Sequence, residues 1–203
     1  MKLRPALSGS RRTRRELAER WQREAELEYS SVAAFEHLAQ QLAVLDAPPA
    51  LVQRCRAAAR DETKHARMCY GLASAYAGKT LGPRPLDLRD LDPSPNLSQI
   101  VYETAIDGCL GEAIAAARAR KQLREETDPV VRKVLRLIAC EEAGHARLAW
   151  SVVEWGLEKQ SIDRALYDIE RFAFVDDAAV RVQRGVVKRL RAMLLSFSAH
   201  LAA

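Results

Sequence analysis

The 203-residue sequence predicts an all-α fold: a four-helix bundle with one long crossover between the second and third helices, plus a C-terminal amphipathic helical extension. Three observations lead to this prediction. Residues that favour helices, above all Ala, Leu, Arg and Glu, dominate the chain, which contains only 9 Gly and 8 Pro. Apolar positions recur at spacings of three and four residues. Proline, glycine and capping residues interrupt this pattern at few places, which therefore mark the helix ends.

The first two helices are separated by a short link that contains two prolines. We expect the first helix over about residues 14–44, ending before the link DAPP at 46–49. The second helix follows and runs to about Ala77. Gly78 comes directly after it, which suits the left-handed backbone that often ends a helix. These two helices therefore form a pair joined by a short connection.

A much longer connection precedes the second pair. Residues 78–96 are rich in Pro, Asp and Gly, too broken to form a helix and long enough to cross the length of a bundle. The third helix is predicted over about 97–124. The fourth begins at Asp128, an N-cap residue, with Pro129 at the first helical position, and continues to about Gly156. Two short-linked pairs joined by one long connection is a known bundle connectivity.

The predicted domain organisation has three parts. Residues 1–13 form a basic N-terminal segment, 14–158 the bundle, and 159–203 the helical extension. We expect the apolar stripe of the extension to dock on the bundle or on a second subunit, so a homodimer stays open; binding to a membrane surface is the alternative. The stripe consists of Val187, Leu190, Leu194, Phe197 and Leu201, and basic residues on another side are Arg181, Arg184, Lys188 and Arg191.

Composition narrows the class of protein. No apolar stretch reaches the roughly 18 residues that a membrane-spanning helix needs, and the first residues lack an apolar signal core, so we expect a cytoplasmic protein with no membrane span. The four cysteines contain no CxxC pair and are expected to be reduced thiols. The net charge of +5 is concentrated in arginines near both ends. Such residues more often form solvated helix faces than nucleic-acid sites, which remain the alternative.

An internal repeat contains the residues with the clearest chemical meaning. The segment DETKHAR of the second helix returns as EEAGHAR in the fourth, 80 positions later. Each copy has the form acidic-Glu-x-x-His, which gives Glu62 with His65 and Glu142 with His145. Residues three apart in a helix lie on one face about one turn apart, so both side chains can reach the same ion.

The other two helices each supply one candidate carboxylate. Glu28 lies in the middle of the inward stripe of the first helix, whereas Glu24 and Glu36 lie off that line. Glu112 is surrounded by small residues on one face of the third helix, and Glu103 points to the opposite side. The separation of 84 residues between Glu28 and Glu112 is close to the offset of 80. The inward stripe of the first helix consists of Trp21, Ala25, Val32, Phe35 and Leu42.

Together these side chains predict a site for two metal ions. Burying four carboxylates and two imidazoles among apolar residues would be very costly without cations, and two divalent ions supply the balancing charge. Carboxylate and imidazole ligands favour iron or manganese over zinc. We expect two iron ions, with manganese or a mixed manganese–iron pair as the alternative. The predicted ligands are Glu28, Glu62, His65, Glu112, Glu142 and His145.

Two further acidic residues precede the ligand glutamates in the repeat. We hypothesise that Asp61 accepts a hydrogen bond from His145 and Glu141 accepts one from His65, across the bundle. Such outer carboxylates fix the metal-binding tautomer of a histidine. The alternative is that each forms a salt bridge with a nearby arginine.

These motifs resemble the ferritin-like di-iron carboxylate superfamily, which includes bacterioferritins, rubrerythrins and bacterial di-iron hydroxylases and oxidases. The resemblance covers about residues 14–156, and GCLGEA around Glu112 with the two repeated motifs looks especially like small bacterial ferritin-like domain proteins. Two departures matter. The chain has no CxxC pair for the mononuclear iron module of rubrerythrins, and it has two ExxH motifs where typical ferritins have one. The resemblance therefore implies a site nearer to bacterioferritin or to oxygen-activating enzymes.

The function expected from this resemblance is a di-iron oxidoreductase that activates O2 or peroxide and oxidises an unidentified organic small molecule, with electrons from an external donor. A ferroxidase or iron-handling protein is the first alternative, and an RNA-binding or tRNA-modifying di-iron protein is the second. The carboxylates that bridge the ions also stay open at this point. Glu28 with Glu142, or Glu62 with Glu112, could take that role.

Overall fold

The computed structural model describes residues 3–7, 10–85, 95–159 and 177–201, with side chains of the last helix described for 179–193. Within these ranges all regular structure is helical and no β-strand is present, so the all-α prediction is confirmed there. No helix in the same ranges is long and apolar enough to cross a membrane.

The first two helices have the ends that the sequence predicts, apart from a slightly earlier start. Helix α1 spans Arg11–Val44, because the side chain of Ser10 accepts a hydrogen bond from the backbone N–H of Thr13 and caps the helix there. Helix α2 spans Pro49–Ala77. Gly78 ends it with a φ of 68°, a left-handed conformation that glycine adopts without a steric penalty.

The third helical region is not the uninterrupted α-helix that the sequence predicted. It consists of α3 (Leu97–Glu103), a π-helical segment (Thr104–Glu112) and α4 (Ala113–Glu125), which follow one another without a break. We refer to the three together as the α3–α4 run. A π-helix pairs each residue with the fifth one along rather than the fourth, so apolar spacing read as an α-helix does not reveal it.

The last two helices are α5 (Pro129–Leu157) and α6 (Asp177–Leu201). The carboxylate of Asp128 accepts hydrogen bonds from the backbone N–H groups of Val130 and Val131, so the predicted N-cap is confirmed. The side chain of Glu126 also participates in the turn that precedes α5, since its carboxylate accepts hydrogen bonds from the backbone N–H groups of Thr127 and Asp128.

The helices pack as two pairs, and the main contact between the pairs is that of α2 with α5. Helix α1 lies along α2, α5 lies along the α3–α4 run, and α2 meets α5. One apolar cluster contains the first half of α1 and the second half of α2, around Trp21 and Leu72. A second cluster contains the opposite halves, around Phe35 and Val52. Because α5 contributes to both clusters, it joins the two pairs.

Helix α6 packs on the α3–α4 run and on α5. Ala179, Val186 and Leu190 are buried in a third apolar cluster with residues of those helices. The Arg189 guanidinium lies 4.2 Å from the centroid of the Trp150 ring and forms an ion pair with Glu154. The described part of the extension thus docks on this chain, as one of the predicted alternatives states.

The apolar stripe predicted for the extension is only partly correct in register. Leu190 is buried, but Val186 is more deeply buried than the predicted Val187. The side chains of Leu194, Phe197 and Leu201 lie outside the described residues. The predicted basic residues are exposed, as expected for a face turned away from the packed helices; they are Arg181, Arg184, Lys188 and Arg191.

We expect the substitution Gly156→Ala in α5 to destabilise the protein by about 1–3 kcal/mol, because overpacking a tight helix contact has a cost of that size. A Cβ at Gly156 would clash with the side chain of Val101, whose branched Cβ leaves it little rotational freedom. The free energy of unfolding from urea titration is the measurement.

Gly185→Ala in α6 is the matched control. A Cβ there meets nothing within 4 Å, so helix propensity alone should stabilise the protein by about 0.5–1 kcal/mol. If the Gly156 variant were as stable as the native protein, the close approach of α5 to α3 would be disproved.

Candidate metal centre

The six predicted ligands occupy a polar layer between the two apolar clusters. On α2, Ala59 belongs to one cluster and Met68 to the other, and Glu62 and His65 lie between them. On α5 the clusters follow in the reverse order, with Ala139 and Leu148 on either side of Glu142 and His145. These four polar residues are at most 4% exposed, and Glu28 and Glu112 are half-buried.

Three carboxylates surround the Nδ1 atom of His65. Glu142 Oε1 lies 3.0 Å away, Glu28 Oε2 lies 3.1 Å away, and Glu62 Oε2 lies 3.6 Å away. These four residues offer ligand atoms that all lie within 4.8 Å of one another. They come from α1, α2 and α5, so this group forms only when the helices pack.

A second group surrounds His145. Its Nδ1 atom lies 2.8 Å from Glu62 Oε1 and 3.6 Å from Glu142 Oε2. Glu112, the last residue of the π-helical segment, completes this group, and its ligand atoms also lie within 4.8 Å of one another. The structure thus brings together all six residues predicted from the sequence.

Glu62 and Glu142 belong to both groups. One carboxylate oxygen of each faces His65 and the other faces His145. The sequence left two other pairings open for the bridging role, namely Glu28 with Glu142 and Glu62 with Glu112. The structure instead places the two ExxH glutamates in the middle, because α2 and α5 are the helices that meet there.

The orientation of these atoms fits bound cations. Glu62 Oε1, Glu142 Oε1 and His145 Nδ1 are buried, and the described residues offer them no partner with acceptable hydrogen-bond geometry. Two ligand atoms at about 2.1 Å from one ion and at right angles lie about 3.0 Å apart, which is near the spacings found here. Buried polar atoms without partners are costly, and a cation between them would remove that cost. The buried Glu and His groups are therefore in range to bind metal ions.

Without metal, the site distributes protons unevenly. Burial raises the pKa of Glu28 to about 8, and it also raises the pKa of Glu112, beside Glu142, well above its usual value. Burial opposes the charged form of the histidines too, but nearby carboxylates outweigh it and raise the pKa of His65 to about 12 and of His145 to about 9. At neutral pH the metal-free site therefore holds protons that divalent ions would displace.

The shared carboxylates behave in the opposite way. Burial alone would raise the pKa of Glu62, but the close approach of His145 and His65 lowers it below its usual value. The pKa of Glu142 is also lowered, against the effect of burial, by Glu112 first and then by the histidines. Two carboxylates thus stay ionised between two imidazolium groups, and this pairing compensates the buried charge in the absence of metal.

The outer carboxylates differ between the two halves of the repeat. His65 Nε2 lies 2.6 Å from Glu141 Oε2, as the sequence hypothesis states. His145 Nε2 lies 3.8 Å from Asp61 Oδ2, which is too far for a hydrogen bond. Asp61 is instead paired with Lys64 on its own helix, and its side chain is one methylene shorter than that of Glu141. The hypothesis is therefore wrong for Asp61 in this structure.

The sequence reasoning overlooked Lys64. Its Nζ atom lies 2.5 Å from Glu141 Oε1 and 3.2 Å from Asp61 Oδ1, so this lysine takes the place of the arginine considered as an alternative partner. A signal was present in the repeat. Lys64 is followed directly by a ligand histidine, and the equivalent position in the other half is Gly144.

A cavity of about 190 Å³ lies against the carboxylate side of the site. The four glutamates of the two groups form part of its wall, and Glu24 also lines it. Most of the other lining residues are apolar or small. These residues are Trp21, Leu27, Cys69, Ala115, Ala119, Leu135 and Ile138.

The π-helical segment shapes the same region. A Cβ added at Gly108 would lie 2.5 Å from the Cβ of Ala149. The segment therefore lies so close to α5 that only glycine, which has no side chain, fits at this position. Gly111 lines the cavity and Glu112 enters the second group directly after it. Short π-helical stretches inside α-helices often occur at functional sites because they re-orient one residue relative to its neighbours.

Neither a protein-family model, nor a curated protein, nor a solved structure matches this chain. The resemblance to ferritin-like proteins therefore depends on the sequence motifs.

We expect the metal-free protein to lose stability as the pH rises from about 5 to about 9. His65, His145 and Glu28 have raised pKa values in the folded state, so the folded chain binds more protons than the unfolded chain in this interval. Stability of this kind is present at low pH and is lost as the pH rises through the folded pKa. The lowered pKa of Glu62 does not oppose this trend. A carboxylate with a lowered pKa stabilises the folded state fully at any pH above its usual pKa of 4.5, so this stabilisation stays constant in the interval.

The measurement is urea unfolding of chelator-treated protein across that pH interval. The control is the protein loaded with a divalent metal, in which the ions have displaced these protons, so the downward slope should disappear. A metal-free protein that becomes more stable with rising pH would contradict the charge assignment.

Proposed function

We propose that this chain is a ferritin-like di-iron protein. In this proposal α1, α2, the α3–α4 run and α5 form the four-helix bundle, and α6 is an extension docked on it. Short links between the members of each pair and the long connection of residues 78–96 support this connectivity. The single carboxylates on α1 and the α3–α4 run, with ExxH motifs on α2 and α5, match the ligand pattern of such bundles.

Two iron ions are the proposed cofactor. The ligands are carboxylate oxygens and imidazole nitrogens, which suit iron or manganese, and no cysteine belongs to either group. Four carboxylates balance the charge of two divalent ions once the site has lost its protons. The first ion would be held by Glu28, Glu62, His65 and Glu142, and the second by Glu62, Glu112, Glu142 and His145.

The proposed reaction is oxidation of an organic substrate with O2 or peroxide as the oxidant. The two irons, when bound, would provide the electrons that reduce O2 or peroxide. The observation that supports a substrate is the cavity of about 190 Å³, because its wall combines the site carboxylates with apolar side chains and a few polar ones, among them Arg118 and Gln122. An external electron donor is part of the proposal, since full reduction of O2 takes more electrons than one substrate oxidation supplies.

The chain's own residues have three tasks in this scheme. Trp21, Leu135 and Ile138 exclude water from the cavity and give a substrate an apolar surface. Glu28 and Glu112 line both the cavity and the metal groups, so they lie where a substrate would approach the site. Glu141 accepts a hydrogen bond from His65 and orients that imidazole.

A ferroxidase or iron-handling function is the second candidate. Glu24 lines the cavity without belonging to either metal group. The wall therefore contains five carboxylates and one cationic side chain, that of Arg118, a balance that favours the entry of a cation. In this case Fe²⁺ is itself the substrate. Repeated oxidation of Fe²⁺ and assembly into a large shell would distinguish this function from substrate oxidation.

An RNA-related function is the third candidate, and a basic surface supports it. A second cavity of about 670 Å³ between the start of α1 and the end of α2 is lined by Arg11, Arg14, Arg15 and Lys79. Phosphate groups bind such surfaces in a salt-dependent manner. Retention on RNA that falls steeply with rising salt would support this candidate.

We expect protein purified in air to contain about two irons per chain, as two complete ligand groups require. Glu62→Ala should abolish iron loading because both groups lose a shared ligand, whereas Glu28→Ala should leave about one iron. Iron content per chain and the absorption spectrum after reaction with oxygen are the measurements.

Glu24→Ala is the matched control, because Glu24 is a carboxylate on the same helix and beside the same cavity but outside both groups. It should retain about two irons. Native protein with almost no iron under these conditions would disprove the di-iron proposal. Consumption of many Fe²⁺ ions per chain would favour the ferroxidase over substrate oxidation.

A further inference from the structure

The duplicated half-sites differ at three positions outside the ligands. DETKHAR has Asp61, Thr63 and Lys64 where EEAGHAR has Glu141, Ala143 and Gly144. The hydroxyl of Thr63 donates a hydrogen bond to the backbone of its own helix. The differences at Asp61 and Lys64, in contrast, concern side chains beside the histidines rather than the metal ligands themselves. The two halves therefore have the same types of metal ligand but can support their histidines to different degrees.

The imidazole of His65 is held at its outer nitrogen. Nε2 lies 2.6 Å from Glu141 Oε2, and the other oxygen of that carboxylate lies 2.5 Å from the ammonium group of Lys64. Lys64 reaches from α2 to α5 to make this contact. Nδ1 of His65 meanwhile faces the site carboxylates. The ring is thus fixed with one nitrogen toward the metal position and the other in a charged hydrogen-bond chain.

The imidazole of His145 has no such support. Asp61 Oδ2 is 3.8 Å from its Nε2 atom, and no protein atom in the described residues forms a hydrogen bond with that nitrogen. The other oxygen of Asp61 lies 3.2 Å from Lys64. Gly144, at the position equivalent to Lys64, has no side chain that could reach across to Asp61. Lys64 therefore supports His65 through Glu141, and it pairs with Asp61, the carboxylate that could otherwise support His145.

We infer that the two metal positions are unequal and that Lys64 is the positioning residue responsible. The position at His65 fills first and binds a divalent ion about 10- to 100-fold more tightly than the position at His145, which is the range that an outer hydrogen-bond partner of a metal ligand contributes. This inference rests on the proposed di-metal function. It adds that one ion is held firmly while the other is exchangeable.

Charge alone predicts the opposite effect of Lys64. An ammonium group close to two cation positions repels both ions, so its removal would tighten both binding steps. If Lys64 instead positions His65, its removal should weaken the first metal-binding step and should not weaken the second. The sign of the change therefore separates the two explanations.

The test is Co²⁺ titration of metal-free protein, followed by calorimetry and visible absorption. Native protein should bind two Co²⁺ in two steps that differ by more than the statistical factor for identical positions. His65→Ala should remove the tight step and His145→Ala the weak one. Lys64→Met should weaken the tight step about 10-fold or more, and Lys64→Arg should restore it. Lys133→Met, which removes an exposed charge from α5 well before the ligands, should change neither step.

The reciprocal substitution Gly144→Lys should tighten the weak step. A Cβ at Gly144 meets only the Arg147 Nη2 atom, at an ordinary contact distance of 3.7 Å, so a side chain fits there. Two equal Co²⁺ affinities in native protein, or a Lys64→Met variant whose tight step is unchanged or tighter, would overturn the inference. Absence of any Co²⁺ binding would instead disprove the di-metal function itself.

Discussion

The packing of this protein depends on a layer of charge buried in its middle. Four glutamates and two histidines from four helical elements meet between two apolar clusters. Burying even one unpaired charge there would be prohibitive, so the groups stay paired either with protons and one another or with cations. The apolar clusters on both sides fix the helices, and the charged layer fixes which faces of those helices meet.

The two ExxH motifs have the central place in this layer. Because α2 and α5 touch, Glu62 and Glu142 each turn one oxygen toward each histidine, and the lowered pKa values of both carboxylates follow from that position. Glu28 and Glu112 approach from the outer helices, where burial raises their pKa values. This division between shared and single carboxylates would let two divalent ions replace the protons without a large change in net charge.

The surroundings of the layer connect it to the rest of the molecule. The cavity makes one side of the charged layer accessible, and many of the side chains that line it are apolar. Glu112, the last residue of the π-helical segment, lies on that side. On another side, Lys64 and Glu141 link His65 to the protein surface. Helix α6 lies elsewhere, against the outer face of the α3–α4 run and α5, where it covers apolar residues that those helices would otherwise expose.

The sequence by itself determined the helix ends at Asp128 and Gly78 and the identity of the six candidate ligands, because capping and the spacing of residues within one helix are local geometry. Only the tertiary structure decided that Glu62 and Glu142 are the shared pair, since that depends on which helices touch. Three further features are also visible only in the tertiary structure. They are the π-helical segment, the contact of Lys64 with the neighbouring helix and the failure of Asp61 to reach His145. Those outcomes depend on distances between helices and on single methylene groups, to which a periodic pattern is insensitive.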